Sequence, residues 1–195
     1  MELALFDFDG TLTDRDTLLP FLRQLAGRRD YWLGMARMSP ALLGYAGGLI
    51  PNHIAKERLL QHFLAPRPAS EIEAVAARFA SEAVPRWLRP GVLAKLREHQ
   101  KAGHICLLVS ASPELYLNHV ARDLGFAALL CTRLEKQDER YSGRLLGANC
   151  HGPEKVRRIE SWLSGRQPGL IHAYGDSSGD REMLAMAQHA HYRPR

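Results

Sequence analysis

Asp7 and Asp9 stand two residues apart in the run Asp7-Phe8-Asp9-Gly10-Thr11-Leu12-Thr13, directly after the apolar stretch Leu3-Ala4-Leu5-Phe6. Two carboxylates held close together repel each other unless a cation or a shared proton lies between them. The pair therefore points to a metal ion, a proton-transfer pair, or both. One carboxylate can attack an electrophile such as phosphorus. The other can protonate the leaving oxygen and then deprotonate an attacking water. The two need different environments, since one must stay ionised while the other carries a proton. A short apolar run ending in acids reads as a buried strand, here Glu2–Phe8, whose end opens into a site. Residues two apart on an extended chain face the same way, so both acids are expected to approach one reacting group. Gly10 lets the chain turn sharply beside a ligand.

Three further clusters could join them. Val109-Ser110-Ala111-Ser112-Pro113 offers a hydroxyl, Ser110, and free backbone N–H groups at a helix start, which together make an anion site; Ser112 is expected to cap that helix. Lys155, in Gly152-Pro153-Glu154-Lys155, supplies a fixed cation early in a helix. Gly175-Asp176-Ser177-Ser178-Gly179-Asp180 adds acids that suit magnesium, which prefers one or two carboxylates, waters and phosphate oxygens.

The elements that must position these groups alternate. Strands are expected at Glu2–Phe8, Ile105–Val109, Ala128–Cys131, Leu170–Tyr174 and Ala190–Tyr192. Helices are expected at Pro90–Ala102, from Ser112, and at Pro153–Leu163 and Asp180–Ala187. Strands alternating with helices imply right-handed crossovers and a parallel sheet, with ligands beyond the carboxyl ends of the strands. Between the first two strands lie only helical patterns, at Leu18–Leu25, near 30–48, at Ile54–Leu64 and at Ile72–Trp87, the last introduced by a capping box from Ser70 to Glu73. A hairpin excursion is expected over residues 132–149. The fold class is α/β: a doubly wound, Rossmann-like parallel sheet core (1–14 and 88–195) with an inserted helical-bundle cap (15–87).

Composition narrows the classes. The 195 residues are 46% hydrophobic, enough for a sizeable core. The net charge of +5 comes without a tight basic block interleaved with aromatics, so no nucleic-acid partner is expected. Cys106, Cys131 and Cys150 are an odd, dispersed set that fits reduced thiols in a cytoplasmic protein. The chain starts at once on a strand, and no signal peptide is expected. The nine histidines are scattered without metal-site spacing and are expected to be ordinary packing or surface residues.

The motifs DFDGTLT, LLVSASP, GPEK and AYGDSSGD, in this order, resemble the haloacid dehalogenase superfamily of phosphohydrolases, subfamily IB, whose members include phosphoserine phosphatases and phosphatidylglycerophosphatase C. The resemblance implies a phosphatase: a magnesium-dependent phosphomonoester hydrolase with Asp7 as nucleophile and Asp9 as general acid/base. It implies a phosphate site of Gly10, Ser110, Ala111 and Lys155, with Lys155 also steadying Asp7. Magnesium would be held by Asp7, the backbone carbonyl of Asp9 and Asp176. Thr11 and Asp180 would support these groups from behind. A small-molecule phosphomonoester is the expected substrate, and a catalytically silent phosphate-binding relative is the non-enzymatic alternative.

Residues 31–51 carry one charge, Arg37, in 21 residues. The plainer reading is a buried cap helix with a break at Pro40. The sharper one is a peripheral membrane contact through 31–51 that brings a lipid phosphate to the site, as in the phosphatidylglycerophosphatases this segment also resembles. Lys56, Glu57 and Arg58 are candidates for reading the leaving group.

Overall fold

The computed structural model describes residues 1–194. Along the chain run β1 (Glu2–Phe6), α1 (Leu18–Ala26), α2 (Arg28–Ala46), α3 (Asn52–Leu64), α4 (Ala69–Arg78), α5 (Pro90–Lys101), β2 (Ile105–Pro113), α6 (Glu114–Asp123), β3 (Ala128–Thr132), β4 (Leu134–Gln137), β5 (Arg140–Leu145), α7 (Pro153–Leu163), β6 (Leu170–Gly175), α8 (Arg181–Ala185) and β7 (His189–Tyr192). Five strands form one sheet in the order β3-β2-β1-β6-β7, and every neighbouring pair is parallel. The chain leaves β1 in one direction for β2 and β3 and returns on its other side for β6 and β7. That reversal places a crevice beyond the carboxyl ends of β1, β2 and β6.

Alternation along β1 builds two cores. Leu3 and Leu5 join Leu107, Val109, Ile171 and Ala173 against Ile159 and Leu163 of α7 and Met183 of α8. Ala4 and Phe6 face the other way, with Leu108, Val92 and Leu96 of α5, and Tyr116 and Val120 of α6. Each Leu, Ile, Val, Phe or Met among them contributes about 1.5–3 kcal/mol on burial, and a one-residue slip of β1 would reverse both faces at once.

The second core continues into the helical segment. Phe21 of α1 lies 5.1 Å, and Phe79 5.2 Å, ring to ring from Tyr116. Entry to and exit from this segment are stitched together: Asp14 N donates to Trp87 O and Arg89 N to Leu12 O, at 2.9 and 2.8 Å.

Several local expectations are corrected. β1 stops at Phe6, and Phe8–Leu12 form a wide turn in which Thr13 N donates to Phe8 O. The helix expected at 72–87 ends at Arg78 and loosens into turns through Trp87. Ser70 and Glu73 form no capping box, because α4 starts two residues earlier than that cap would place it, behind Pro68; Glu73 instead accepts from Lys136 and Tyr141. α2 runs through Pro40 without a break, and it is not buried as the plainer reading expected: only Tyr31, Gly34 and Ala41 are covered. Pro40 lacks the N–H that would bond the Ala36 carbonyl, and the Ser39 hydroxyl donates to that carbonyl instead, at 2.8 Å.

The 132–149 excursion is the antiparallel pair β4–β5, and it lies on α3. A Cβ on Gly143, whose φ is +79°, would stand 2.4 Å from the Gln61 backbone. Gly143→Ala should therefore lower stability by about 1–3 kcal/mol. The expected result is a lower urea midpoint with unchanged slope; a wild-type midpoint would show that the hairpin does not depend on this contact.

Candidate active site

The turn after β1, the end of β2, the first turn of α7 and the loop after β6 converge on one cavity of about 620 Å³. Asp7, Asp9, Gly10, Ser110, Ala111, Lys155, Asp176 and Asp180 all line it, so the motifs meet in space. Thr11 lies behind them, fully buried, and its hydroxyl donates to Asp176 Oδ1 at 3.4 Å.

At the floor sits Lys155, 2% exposed. Its Nζ donates to Asp7 Oδ1 and Asp180 Oδ1, each at 2.6 Å, and to the carbonyl of Val109 at 2.9 Å. Burial works against the ammonium, but the two carboxylates outweigh it and hold the Lys155 pKa above its ordinary value. Burial likewise pushes Asp7 up to about 6, although Lys155 opposes the shift. For Asp180 the balance reverses: burial raises it, yet Lys155 and the Ser177 hydroxyl and amide hold it below the ordinary carboxylate range. Asp180 Oδ2 accepts from Asp176 N, Ser177 N and Ser177 Oγ. The capping box of this chain is therefore Ser177–Asp180.

Asp9 lines the same cavity with other partners. Its Oδ1 accepts from Thr17 N at 2.8 Å and Thr17 Oγ1 at 2.6 Å, while Oδ2 accepts from Ser112 Oγ. Thr17 Oγ1 lies 3.0 Å from Tyr116 Oη. Burial, reinforced by the charge of Asp16, pushes Asp9 up to about 7 despite these donors. The two acids thus differ in setting: Asp7 is held by a cation and Asp9 by neutral donors. Ser112 is not a helix cap, since α6 begins at Glu114 behind Pro113. Its hydroxyl serves Asp9, and its N–H donates to Ser110 Oγ at 3.0 Å.

Asp7, Asp176 and Asp180 place carboxylate oxygens within 4.8 Å of one another, an acidic group that could hold a metal ion. The carboxylate of Asp9 is outside that cluster. Asp176 is half-buried, and burial together with Asp180 raises its pKa. A side chain on Gly10 (φ +78°) would put its Cβ 2.3 Å from Asp176 Oδ2, so only glycine lets the turn and this acid approach so closely.

From the helical side, Lys56 of α3 reaches the rim, donating to Ala111 O at 2.8 Å and Asn149 Oδ1 at 3.0 Å. Burial lowers it to about 8, against the pull of Asp9 and Asp16. Glu57 is turned to the hairpin, accepting from Leu145 N, and Arg58 is exposed; neither lines the cavity. Thr17, Tyr116 and Asn149 have no local sequence signal, since their partners are far along the chain or on another element.

A family model described as haloacid dehalogenase-like hydrolase matches residues 4–185. The chain belongs to that family. It is a hydrolase. Protein CicA of Caulobacter vibrioides is 40% identical over 192 residues, covering 98% of this chain and 85% of that protein. Histidinol-phosphatase of Neisseria meningitidis is 27% identical, covering 94% of this chain and 86% of its own. Among solved structures, a Bordetella pertussis protein of unknown function superposes with a TM-score of 0.85 at 29% identity, over 95% of this chain and 86% of that one. A substrate-bound phosphoserine phosphatase shares the fold, with a TM-score of 0.67 at 18% identity over 95% of this chain and 82% of that one.

The neighbouring acids Asp176 and Asp180 should separate in a stability measurement. Asp180→Ala leaves Lys155 short of a buried partner and should cost about 3–5 kcal/mol. Asp176→Asn removes a carboxylate already disfavoured by its surroundings and should stay within about 0.5 kcal/mol of wild type or above it. Urea unfolding of both metal-free variants checks the ordering; equal losses would contradict it.

Proposed function

We propose that this chain is a magnesium-dependent phosphatase acting on phosphomonoesters through an aspartyl-phosphate on Asp7, with Asp9 as general acid/base. The observation that carries this reading is the unequal treatment of the two acids. Lys155 takes one oxygen of Asp7 and leaves the other for attack, while burial holds Asp9 protonatable near neutrality. In this reading residues 15–87 form a helical cap over a core of 1–14 and 88–195, and the three buried free cysteines fit a cytoplasmic setting.

Asp7 attacks phosphorus as the bond to the leaving oxygen breaks, and Asp9 delivers its proton to that oxygen. Asp9 then takes a proton from water, the water oxygen attacks phosphorus, and the Asp7 carboxylate departs. Ser110, the Gly10 and Ala111 backbone and Lys155 bind the phosphoryl oxygens throughout. The donor set fits magnesium: all its ligands are hard oxygens, and the space left by Gly10 lets Asp176 close on Asp7. Asp7, Asp176 and the Asp9 carbonyl would hold the ion, which when bound offsets charge on the phosphoryl group. Asp180, committed to Lys155 and Ser177, stays behind them with Thr11. The phosphatase names of relatives support a small soluble phosphomonoester, whose leaving group would meet Lys56.

Asp7→Asn should abolish turnover of aryl and alkyl phosphates in the presence of magnesium, because an amide is a poor nucleophile. Since Asp9 must arrive protonated, turnover of an alkyl phosphate should fall as pH rises through about 7. An aryl phosphate, with its better leaving group, should be less affected. Wild-type turnover in Asp7→Asn would rule out the covalent route. No turnover of any ester in a broad phosphomonoester screen would favour the silent phosphate binder.

A second reading, a lipid-phosphate phosphatase acting on phosphatidylglycerophosphate-like substrates, is favoured by one observation. α2 and the turn after it expose Trp32 (58%), Leu43 (72%) and Leu49 (84%), although no helix among the described residues is long and apolar enough to cross a membrane. Co-sedimentation with anionic vesicles should then hold wild type at low salt and release Trp32→Glu/Leu43→Glu. Wild type remaining in the supernatant would leave the soluble substrate alone.

A further inference from the structure

Five histidines that are scattered in sequence gather on the α5 side of the sheet. His99 comes from the last turn of α5, His104 from the loop before β2, His172 from β6, and His189 and His191 from β7. The rings of His172 and His189 stack at 4.8 Å. His99, His104 and His172 each bring a ring nitrogen to within 4.8 Å of the others. This cluster lies on strand and helix surfaces away from the catalytic acids.

The orientation of two rings is the telling feature. Nδ1 of His99 and Nδ1 of His104 face each other at 2.8 Å. The outer nitrogen of each is already engaged: His104 Nε2 with Glu2 Oε2 at 3.0 Å, and His99 Nε2 with Tyr174 Oη at 2.9 Å. Histidines that ligate a metal commonly donate their other N–H to a carboxylate or another oxygen, which fixes the tautomer and aims the free lone pair inward. With His104 Nε2 donating to Glu2, the Nδ1 lone pair of His104 faces the His99 ring, and a cation there would take the place of the proton the two rings share.

We propose that His99, His104 and His172 form a site for a late first-row divalent cation such as zinc, distinct from the acidic catalytic site. Imidazole donors select zinc, nickel, cobalt or copper over magnesium. Tetrahedral zinc sits about 2.0–2.1 Å from each nitrogen, which sets the ligand atoms roughly 3.3 Å apart. Small side-chain rotations of the half-buried His104 and His172 would bring the ring nitrogens to that spacing, widening the 2.8 Å between His99 and His104, and water would complete the coordination. Burial and the neighbouring rings push His99 down to about 4, and burial with His189 and His104 lowers His172. These rings are therefore neutral at pH 7, the form that binds metal. The ion would tie α5 to β6 and, through Glu2, to the start of β1.

The full chain, stripped with chelator and dialysed against zinc in excess magnesium, should retain about one zinc per chain. His104→Gln and His172→Gln should lose it, and Glu2→Gln should weaken it ~10–100-fold. Cobalt substitution should give visible bands of a nitrogen-ligated ion in wild type and not in the histidine variants. Asp176→Asn, altered only in the acidic site, should retain zinc as wild type does. Unchanged circular dichroism and phosphatase activity in His104→Gln would show that lost zinc is not lost fold. No zinc retained by wild type, or equal zinc in wild type and both histidine variants, would overturn the site.

Discussion

Lys155 lies between Asp7 and Asp180, 2.6 Å from each and 2% exposed. Opposite charges about 4 Å apart attract by about 4 kcal/mol at an effective dielectric near 20. Burying an ion costs several kcal/mol, so one carboxylate alone would not offset the desolvation of the ammonium. Two carboxylates and the Val109 carbonyl do. The interaction joins the turn after β1, the end of β2, the loop after β6 and the first turn of α7. These are the elements whose convergence makes the cavity, and each contributes a group that would be costly to bury without the others. The candidate site is therefore also a structural knot at the ends of the central strands.

The same knot divides the labour of the acids. Asp180 absorbs the positive charge and three N–H or O–H donors from its own loop, which leaves Asp176 half-buried and underprovided. Asp7 shares Lys155 but sits deep enough that burial still raises it. Asp9 is served by Thr17 at the start of the helical segment and by Ser112 at the end of β2. Two acids of one short motif thus acquire opposite electrostatic settings from partners that lie on different elements. The Thr17–Tyr116 contact carries this setting into the aromatic cluster of Phe21 and Phe79, so the position of Asp9 depends on how the helices pack.

The helical segment is also less separate than a simple lid. Lys56 crosses to the Ala111 carbonyl and Asn149, and the β4–β5 hairpin lies against α3 through Gly143 and Glu57. Apolar burial continues without interruption from the sheet face into α1, α3 and α4. Movement of the helices relative to the sheet would have to give up these contacts together, in a cooperative step.

The sequence by itself determined the parallel α/β core, because apolar runs of strand length alternate with amphipathic helices and each polar cluster falls at a strand's end. It marked Asp7, Asp9 and Gly10 as a candidate site, since acid pairs and a turn glycine are local signals. Lys155 and Asp180 were legible through the family's motif order, as a lone lysine or aspartate carries no local mark. What only the tertiary structure decided were partners set by packing. Ser112 and Glu73 have the composition of helix caps, but their neighbours across the fold offered better bonds. α2 passes Pro40 unbroken with the Ser39 hydroxyl on the carbonyl that the proline cannot serve, a contact that hydropathy along the chain does not register. Thr17 meets Asp9 across 8 residues of sequence and Tyr116 meets Thr17 across 99, and the histidines converge only because β6 and β7 are parallel neighbours beside α5. Periodicity and motif spacing encode backbone class and local turns; which side chains share a charge, a proton or an ion is fixed when distant elements are brought into contact.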